Sequence, residues 1–169
     1  MLFDRLFSLP DAATPVVGSI APGFFQEAYV VSDVDAAIEA WKTLGVSKFM
    51  RLPAADLPYV YRGRNVECAL ELAFGRVGGV QIELMQPLRG EGVHVDTLAR
   101  FGPHPNHLGF LVADVASTVS NATDAGLEVV QSGEFGTLKF AYLDTWDTLG
   151  LYLEVMEDPD DMLAGLMPS

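Results

Sequence analysis

The chain has 169 residues, of which 50% are hydrophobic and 20% are charged, a composition typical of a folded globular protein with a sizeable core. Its 23 Asp and Glu against 10 Lys and Arg give a formal net charge of −13, which argues against nucleic acid and anionic membrane surfaces as partners. The single cysteine, Cys68, excludes an intrachain disulfide and is predicted to be a buried, inert thiol.

The beginning of the chain is predicted to be an extension rather than a targeting segment. It lacks the basic and long apolar regions of a signal peptide, and no apolar stretch approaches the ~20 residues of a membrane span. These features predict a cytoplasmic protein. Within residues 1–22, Pro10, Pro15 and Pro22 prevent any long regular element, and the core is predicted to begin at Phe24.

From there the sequence contains an internal repeat, with copies at residues 26–46 and 107–129. In each copy a polar residue opens a short apolar strand, and an Asp follows seven residues later. Asp33 and Asp114 are placed to cap helices through their carboxylates. Gly45 and Gly126 are typical of helix C-termini.

Strand-like segments separated by turn residues follow each predicted helix. They cover residues 48–52, 59–62, 67–74 and 80–86 in the first half, and 127–131, 138–144 and 151–156 in the second. Each half therefore has the pattern β-α-β-β-β, with an insertion at 54–65 in the first.

The predicted fold class is α+β: two tandem βαβββ modules forming paired, barrel-like mixed sheets with a central cleft. The predicted modules span residues 23–87 and 106–157. They are joined by a linker, 88–105, with a possible helical turn at 93–101. A tail, 158–169, is predicted to end in a short surface helix.

Four polar residues occupy equivalent places in the two halves: Gln26 and His107 at the start of the first strand, Glu83 and Glu154 in the last. Strand side chains alternate between faces, and each Glu is flanked by apolar residues. A lone ionised carboxylate is expensive to bury in such a strand, so it must be paired, solvated or bound to metal. If the sheets of the two modules face each other, the four groups converge.

These four groups suit one divalent metal ion, with Zn, Ni, Co, Mn and Fe as candidates. Two carboxylates cancel its charge, and an imidazole and an amide oxygen add neutral donors. Such an ion polarises a carbonyl and acidifies the neighbouring C–H, and a carboxylate at its edge then moves the proton. The alternative is a set of hydrogen-bonded polar residues that binds no metal.

The repeat, its Gln or His seven residues before Asp, and the Glu of the terminal strand resemble the vicinal-oxygen-chelate superfamily over residues 24–157. Gln26, Glu83, His107 and Glu154 are similar to the metal set of glyoxalase I. Methylmalonyl-CoA epimerases carry His and Gln at the positions of Gln26 and Glu83, and extradiol dioxygenases carry His at the position of Gln26. The resemblance implies that Glu83 and Glu154 are both metal ligands and candidate proton-transfer groups, with Glu154 favoured for the proton transfer, and that a homodimer is plausible.

Other residues are assigned from their place in the pattern. A substrate pocket is predicted to include Phe140, Tyr142, Trp146 and Tyr152. The linker residues His94 and His104 are predicted to be surface residues, and the acids at 157, 158, 160 and 161 to form a solvated face.

Three functions remain open at the level of sequence. The first is a lyase or isomerase acting on a small molecule. No recognisable Arg or Lys motif provides clamps for glutathione carboxylates, and the apolar, aromatic-rich strands predict a hydrophobic substrate instead. The second is a non-catalytic drug- or metabolite-binding protein like the bleomycin-resistance proteins. The third is a ring-cleaving dioxygenase.

Overall fold

The computed structural model describes residues 11–166 of the chain. Over these residues the α-helices are α1 (Thr14–Ile20), α2 (Val34–Thr43), α3 (Val93–Phe101), α4 (Val115–Asp124) and α5 (Trp146–Leu149). The strands are β1 (Phe24–Val30), β2 (Met50–Tyr61), β3 (Arg64–Val77), β4 (Val80–Gly90), β5 (His104–Leu111), β6 (Val129–Phe135), β7 (Leu138–Leu143) and β8 (Tyr152–Glu157).

The eight strands form one closed barrel in the order β1-β4-β3-β2-β6-β7-β8-β5. The first and last strands of each module pair in parallel, β1 with β4 and β5 with β8. The modules are joined by the antiparallel pairs β1–β5 and β2–β6. The predicted fold class is confirmed: this is an α+β fold with a mixed, barrel-like sheet, and a single chain closes it.

The repeat is visible in the way both main helices begin. Asp33 accepts a hydrogen bond from the backbone N–H of Ala36, and Asp114 accepts one from Ser117, as predicted. A polar side chain three residues beyond each Glu of the last strand adds a second cap. Gln86 accepts from the N–H of Val34 at 2.9 Å, and Glu157 accepts from the N–H of Val115 at 3.0 Å. Glu157 therefore caps a helix instead of joining a solvated face.

The helices cover the outside of the barrel with apolar faces. In α2, Val34 and Ile38 pack on Ile82 and Leu84 of β4. The α4 helix and α1 share a second cluster outside β5, β7 and β8, in which Ile20 of α1 is buried. The predicted extension thus contributes a helix to the core, while its residues 1–10 lie outside the described part. No helix among residues 11–166 is long and apolar enough to span a membrane.

Strand β2 differs from the prediction of a short strand at 48–52 followed by an insertion at 54–65 that contains a second strand-like segment, 59–62. It runs without a break from Met50 to Tyr61, and the extra residues of the first module lengthen the β2–β3 hairpin. Pairing with β6 is limited to Tyr59, Val60 and Tyr61. Pro53 and Pro58 have no N–H to donate, so this half of the strand suits an edge position. Residues 50–58 of β2 therefore pair with β3 but not with β6.

Two short helical segments close the barrel around its interior. The α3 helix covers residues 93–101, the range predicted for a helical turn, and its Leu98 packs against the interior-facing Val30 and Met85. The 3-10 helix Met162–Leu166 buries Leu163 against Leu138 and Met156. This segment is the predicted tail helix, and residues 167–169 lie outside the described part.

Candidate functional site

The structure brings the four equivalent polar residues together inside the barrel. His107 Nε2 lies 3.0 Å from Gln26 Oε1, 2.9 Å from Glu154 Oε2 and 3.5 Å from Glu83 Oε2. All four side chains are buried, with Glu83 the most exposed at 7%. Three oxygens from three strands therefore converge on one imidazole nitrogen.

Strand register and small side chains make room for this cluster. Ala28 of β1 is opposite both Glu83 and His107 in the ladders, and Gly109 of β5 is opposite both Gln26 and Glu154. A Cβ at Gly109 would stand 2.8 Å from Gln26 Oε1, closer than real Cβ contacts. The missing side chain at position 109 thus leaves the space that the Gln26 amide fills.

Neighbouring polar groups orient two of the candidate metal ligands, Gln26 and His107. The Gln26 amide nitrogen donates to Gln81 Oε1 at 2.7 Å, which points its oxygen toward His107. Asn106 donates to Thr97 Oγ1 at 3.3 Å and places its own oxygen 3.3 Å from His107 Nδ1. The Asn106 oxygen beside Nδ1 favours the tautomer with its proton on Nδ1. The lone pair of Nε2 then faces the cluster and can bind a metal, as is common for metal-bound histidines.

The cluster holds more negative charge than its protein partners neutralise. Burial raises the pKa of Glu83 to about 7; His107 opposes the rise and Glu154 adds to it. Burial alone would lower the pKa of His107, but Glu154 and Glu83 raise it overall. Although Glu154 Oε2 lies 2.9 Å from His107 Nε2, it has no hydrogen-bond partner in the described part of the chain. Two buried carboxylates beside one imidazole favour an additional cation.

The donor set fits a divalent metal, although the side chains contact one another here. Among residues 11–166, no three His, Cys, Asp or Glu side chains have the spacing of a formed metal site. The fit therefore rests on the chemistry of the ligand groups: two carboxylates, one imidazole nitrogen and one amide oxygen. Glu154 Oε2 also has no hydrogen-bond partner among the described residues. Gln26, Glu83, His107 and Glu154 would hold the ion.

The cluster lies at the polar end of an apolar cavity of about 330 Å³ inside the barrel. No Lys or Arg among the described residues lines it. The lining also includes Pro53 of β2, the β6–β7 hairpin residue Phe135 and Leu166 of the 3-10 helix. The wall is built mainly from apolar side chains of several strands: Leu52, Leu57, Leu70, Leu72, Phe74, Met85, Leu138, Phe140 and Met156.

A family model described as the Glyoxalase/Bleomycin resistance protein/Dioxygenase superfamily matches residues 25–142, more than half of the chain. The chain belongs to this superfamily. No curated protein matches the sequence significantly.

Solved structures share the fold of this superfamily member at low sequence identity. A hypothetical protein from Bacillus halodurans has a TM-score of 0.61 and 17% identity, with 82% of this chain and 95% of that one covered. Methylmalonyl-CoA epimerase from Mycobacterium tuberculosis has a TM-score of 0.56 and 22% identity, with 84% and 91% covered. A mutant 4-hydroxymandelate synthase from Streptomyces coelicolor has a TM-score of 0.54 and 18% identity, with 79% of this chain but 48% of that one covered.

In this member of the glyoxalase superfamily, His94 is a cavity residue, contrary to its predicted surface position. It is 2% exposed, and its Nε2 lies 3.2 Å from the hydroxyl of Tyr142. Burial lowers its pKa to about 3, with smaller contributions from His107 and His104, so the ring is neutral at pH 7. Among residues 11–166 its Nδ1 has no hydrogen-bond partner, a deficit worth about 1–3 kcal/mol for a buried polar group.

The four aromatic residues predicted for the pocket divide into two pairs. Phe140 and Tyr142 line the cavity, while Trp146 and Tyr152 line a separate surface cavity beside α3. Trp146 stacks on Phe101 at 5.1 Å and contacts Tyr152. Cys68 is buried, and burial raises the pKa of its thiol, which agrees with the predicted inert role.

The α3 sequence contains a signal for His94 that the linker prediction does not use. In a helix over residues 93–101, His94 lies four residues before Leu98, so the two share a face. Leu98 packs toward the barrel interior. The helical period therefore places His94 on the inward side.

Proposed function

We propose that the chain is a metal-dependent lyase or isomerase that moves a proton at the carbon beside the carbonyl of an apolar substrate. The observation that supports this proposal most strongly is the convergence of Gln26, Glu83 and Glu154 oxygens on His107 Nε2 at the end of an apolar cavity. A cavity without Lys or Arg favours neutral substrates over polyanionic thiols such as glutathione.

When bound by these residues, a divalent ion would polarise the substrate carbonyl and acidify the adjacent C–H. Glu83 is the better placed of the two carboxylates to exchange a proton, because its pKa of about 7 balances the two protonation states at neutral pH. We assign Glu83 as the proton acceptor and donor, and Glu154 as a metal ligand.

Benzoin provides a direct test, because it is an apolar α-hydroxy ketone with one exchangeable C–H beside its carbonyl. We expect protein reconstituted with Zn²⁺, Ni²⁺, Co²⁺, Mn²⁺ or Fe²⁺ to catalyse the loss of this proton signal in D₂O, measured by ¹H NMR. Glu83→Gln should lower the rate by about 100-fold or more, since general-base catalysis typically contributes 10²–10⁴-fold.

Glu71→Gln is the matched control for this experiment, because Glu71 forms an ion pair with Arg51 outside the cavity. It should leave the exchange rate unchanged. Exchange at the buffer rate with every ion would contradict the proposed proton transfer.

Metal binding should weaken in acid. The bound state requires Glu83 and His107 without their proton, and both have a raised pKa, that of Glu83 to about 7. Below pH 7 the metal must displace protons, so the affinity should fall by about tenfold per pH unit for each proton released. Calorimetric titration with Zn²⁺ at pH 7.5 and 5.5, in two buffers of different ionisation enthalpy, measures the affinity and the number of protons released. An affinity that does not change with pH would contradict these proton assignments.

A second candidate function is stoichiometric binding of an apolar molecule without turnover. It is favoured by the contacts that the cluster residues make with one another and by the apolar wall of the cavity. The dioxygenase hypothesis gains no such support, since His107 is the one histidine in the cluster. The predicted homodimer stays a prediction: one chain supplies all four cluster residues, so the site does not require a partner.

A further inference from the structure

The side chain of Asn106 lies beside that of His107 because of a β-bulge in β5. In the ladder with β1, Ala28 pairs with His107 and Tyr29 pairs with Pro105, so Asn106 is an extra residue between the two pairs. Consecutive side chains of a regular strand point to opposite faces. Here both are buried, and Asn106 Oδ1 lies 3.3 Å from His107 Nδ1. The bulge therefore brings an amide to the imidazole.

The repeat shows that the fold does not require a polar residue at this position. Phe25 precedes Gln26 as Asn106 precedes His107, and the register between β1 and β5 also shifts at Phe25. Phe25 packs against an apolar cluster. The equivalent bulge of the first module thus holds an apolar residue, so backbone geometry and packing do not account for the amide of Asn106.

Three hydrogen bonds connect His107 to helix α3 and fix which group donates in each. The Thr97 hydroxyl donates to the carbonyl of Val93 at 2.7 Å, which uses its only proton. Toward Asn106 the Thr97 oxygen can therefore only accept, and it receives the amide N–H at 3.3 Å. The amide oxygen is left beside His107 Nδ1 and cannot donate, so this nitrogen carries the proton.

The groups on the other side of the imidazole favour the opposite tautomer. Oxygens of Gln26, Glu83 and Glu154 lie 3.0, 3.5 and 2.9 Å from His107 Nε2 and would each accept a proton from it. A neutral ring has one N–H, so a proton on Nε2 alone would leave no lone pair there for an ion. That form would also turn the lone pair of Nδ1 against the oxygen of Asn106. The hydrogen bonds from α3 therefore decide the tautomer.

We propose that Thr97 is a positioning residue: through Asn106 it holds the ring proton of His107 on Nδ1 and so leaves Nε2 free to bind a metal ion. The proposal rests on the proposed function for the presence of the ion. Thr97 acts only through Asn106. Helix α3 then does more than close the barrel, because the hydroxyl that sets the imidazole belongs to it.

Thr97→Val tests the proposal, because it removes the hydroxyl with little change in shape and the Asn106 amide loses the partner that sets its orientation. We expect the affinity for Zn²⁺ to fall about tenfold, a typical effect of losing a group behind a metal ligand, as measured by competition with a chelator. The second readout is the His107 Nδ1–H signal in NMR spectra of metal-free, ¹⁵N-histidine-labelled protein, identified by its loss in His107→Gln. It should be present in wild type, and in Thr97→Val it should shift upfield or be lost by exchange with water.

Thr97→Ser restores the hydroxyl and should return both readouts to their wild-type values. Thr123→Val is the matched control, because the Thr123 hydroxyl donates to the carbonyl of Val119 at 2.9 Å on an exposed face of α4. It should change neither readout. The proposal is overturned if wild type lacks the Nδ1–H signal, or if Thr97→Val leaves either readout unchanged. It is also overturned if Thr97→Ser loses as much as Thr97→Val, since the cause would then be packing.

The NMR readout involves no metal, so it separates this proposal from the proposed function. A wild-type Nδ1–H signal that depends on Thr97, in a protein that binds none of the five ions, would refute the metal site and leave the proton of His107 assigned. Zn²⁺ binding together with a signal that Thr97→Val does not alter would do the reverse.

Discussion

Replacing Glu154 with Gln should lower the affinity for Zn²⁺ by about 100-fold or more, because the ion loses one of its two charged ligands. The same change should stabilise the metal-free protein by about 1 kcal/mol, since it removes a buried carboxylate that repels Glu83 and has one oxygen without a hydrogen-bond donor. Competition with a chromophoric chelator measures the first effect, and urea unfolding at pH 7 measures the second.

Glu157→Gln is the matched control, because Glu157 is three residues along the same strand and points to α4 and Lys139. Its amide oxygen can still accept from Val115, so neither metal affinity nor stability should change much. Opposite shifts in affinity and stability for Glu154→Gln distinguish a metal ligand from a structural polar residue. If Glu154→Gln lowers both the Zn²⁺ affinity and the stability, or lowers neither, the result would contradict the metal site.

Gly90→Ala should destabilise the fold by about 3 kcal/mol or more, the range of severe backbone strain combined with a steric clash. Gly90 has φ +101°, and a Cβ there would lie 2.1 Å from the carbonyl oxygen of Glu67. A backbone atom cannot rotate away as a side chain can, so the β3–β4 ladder would have to shift. The start of α3, and with it His94, depends on this ladder.

Gly45→Ala separates the backbone strain of a positive φ from the steric clash. Gly45 has φ +95°, but no atom lies within 4 Å of the place that a Cβ would take, so its substitution measures the dihedral strain alone. We expect a loss of about 1 kcal/mol there. Thermal and urea unfolding of both variants give the comparison. Equal losses would show that the Gly90 contact relaxes without cost.

The repeat makes the fold and the cluster predictable, because the same physical requirements recur in both halves. Asp33 and Asp114 are recognisable as caps because a short carboxylate suits the first turn of a helix. Glu83 and Glu154 stand out because period-two alternation places a charge among apolar neighbours. The helix caps and the charged residues in apolar strands occur at equivalent positions of the repeat. Together they are enough to select from sequence the residues that the structure brings together.

The remaining features depend on tertiary contacts that have no local signal. Pro53 and Pro58 make the middle of β2 resemble a loop, but a strand paired on one edge tolerates proline on the other. The surface prediction for His94 is wrong because it does not place the predicted helical turn at 93–101 against the barrel, where Leu98 of α3 packs on Val30 and Met85. Residue type alone assigns Trp146 to the pocket, while its position depends on stacking with Phe101.

Closure of the barrel by a single chain frees the two halves of the site from symmetry. In a twofold dimer of identical modules every residue appears at both equivalent stations, so a change to one ligand is always a change to two. Here Gln26 faces Gln81 across one parallel pair, while His107 faces Tyr152 across the other. One half can therefore specialise in holding an ion while the other shapes the space around a ligand. A single substitution, Gln26→His, would change one donor in four and leave its counterpart untouched.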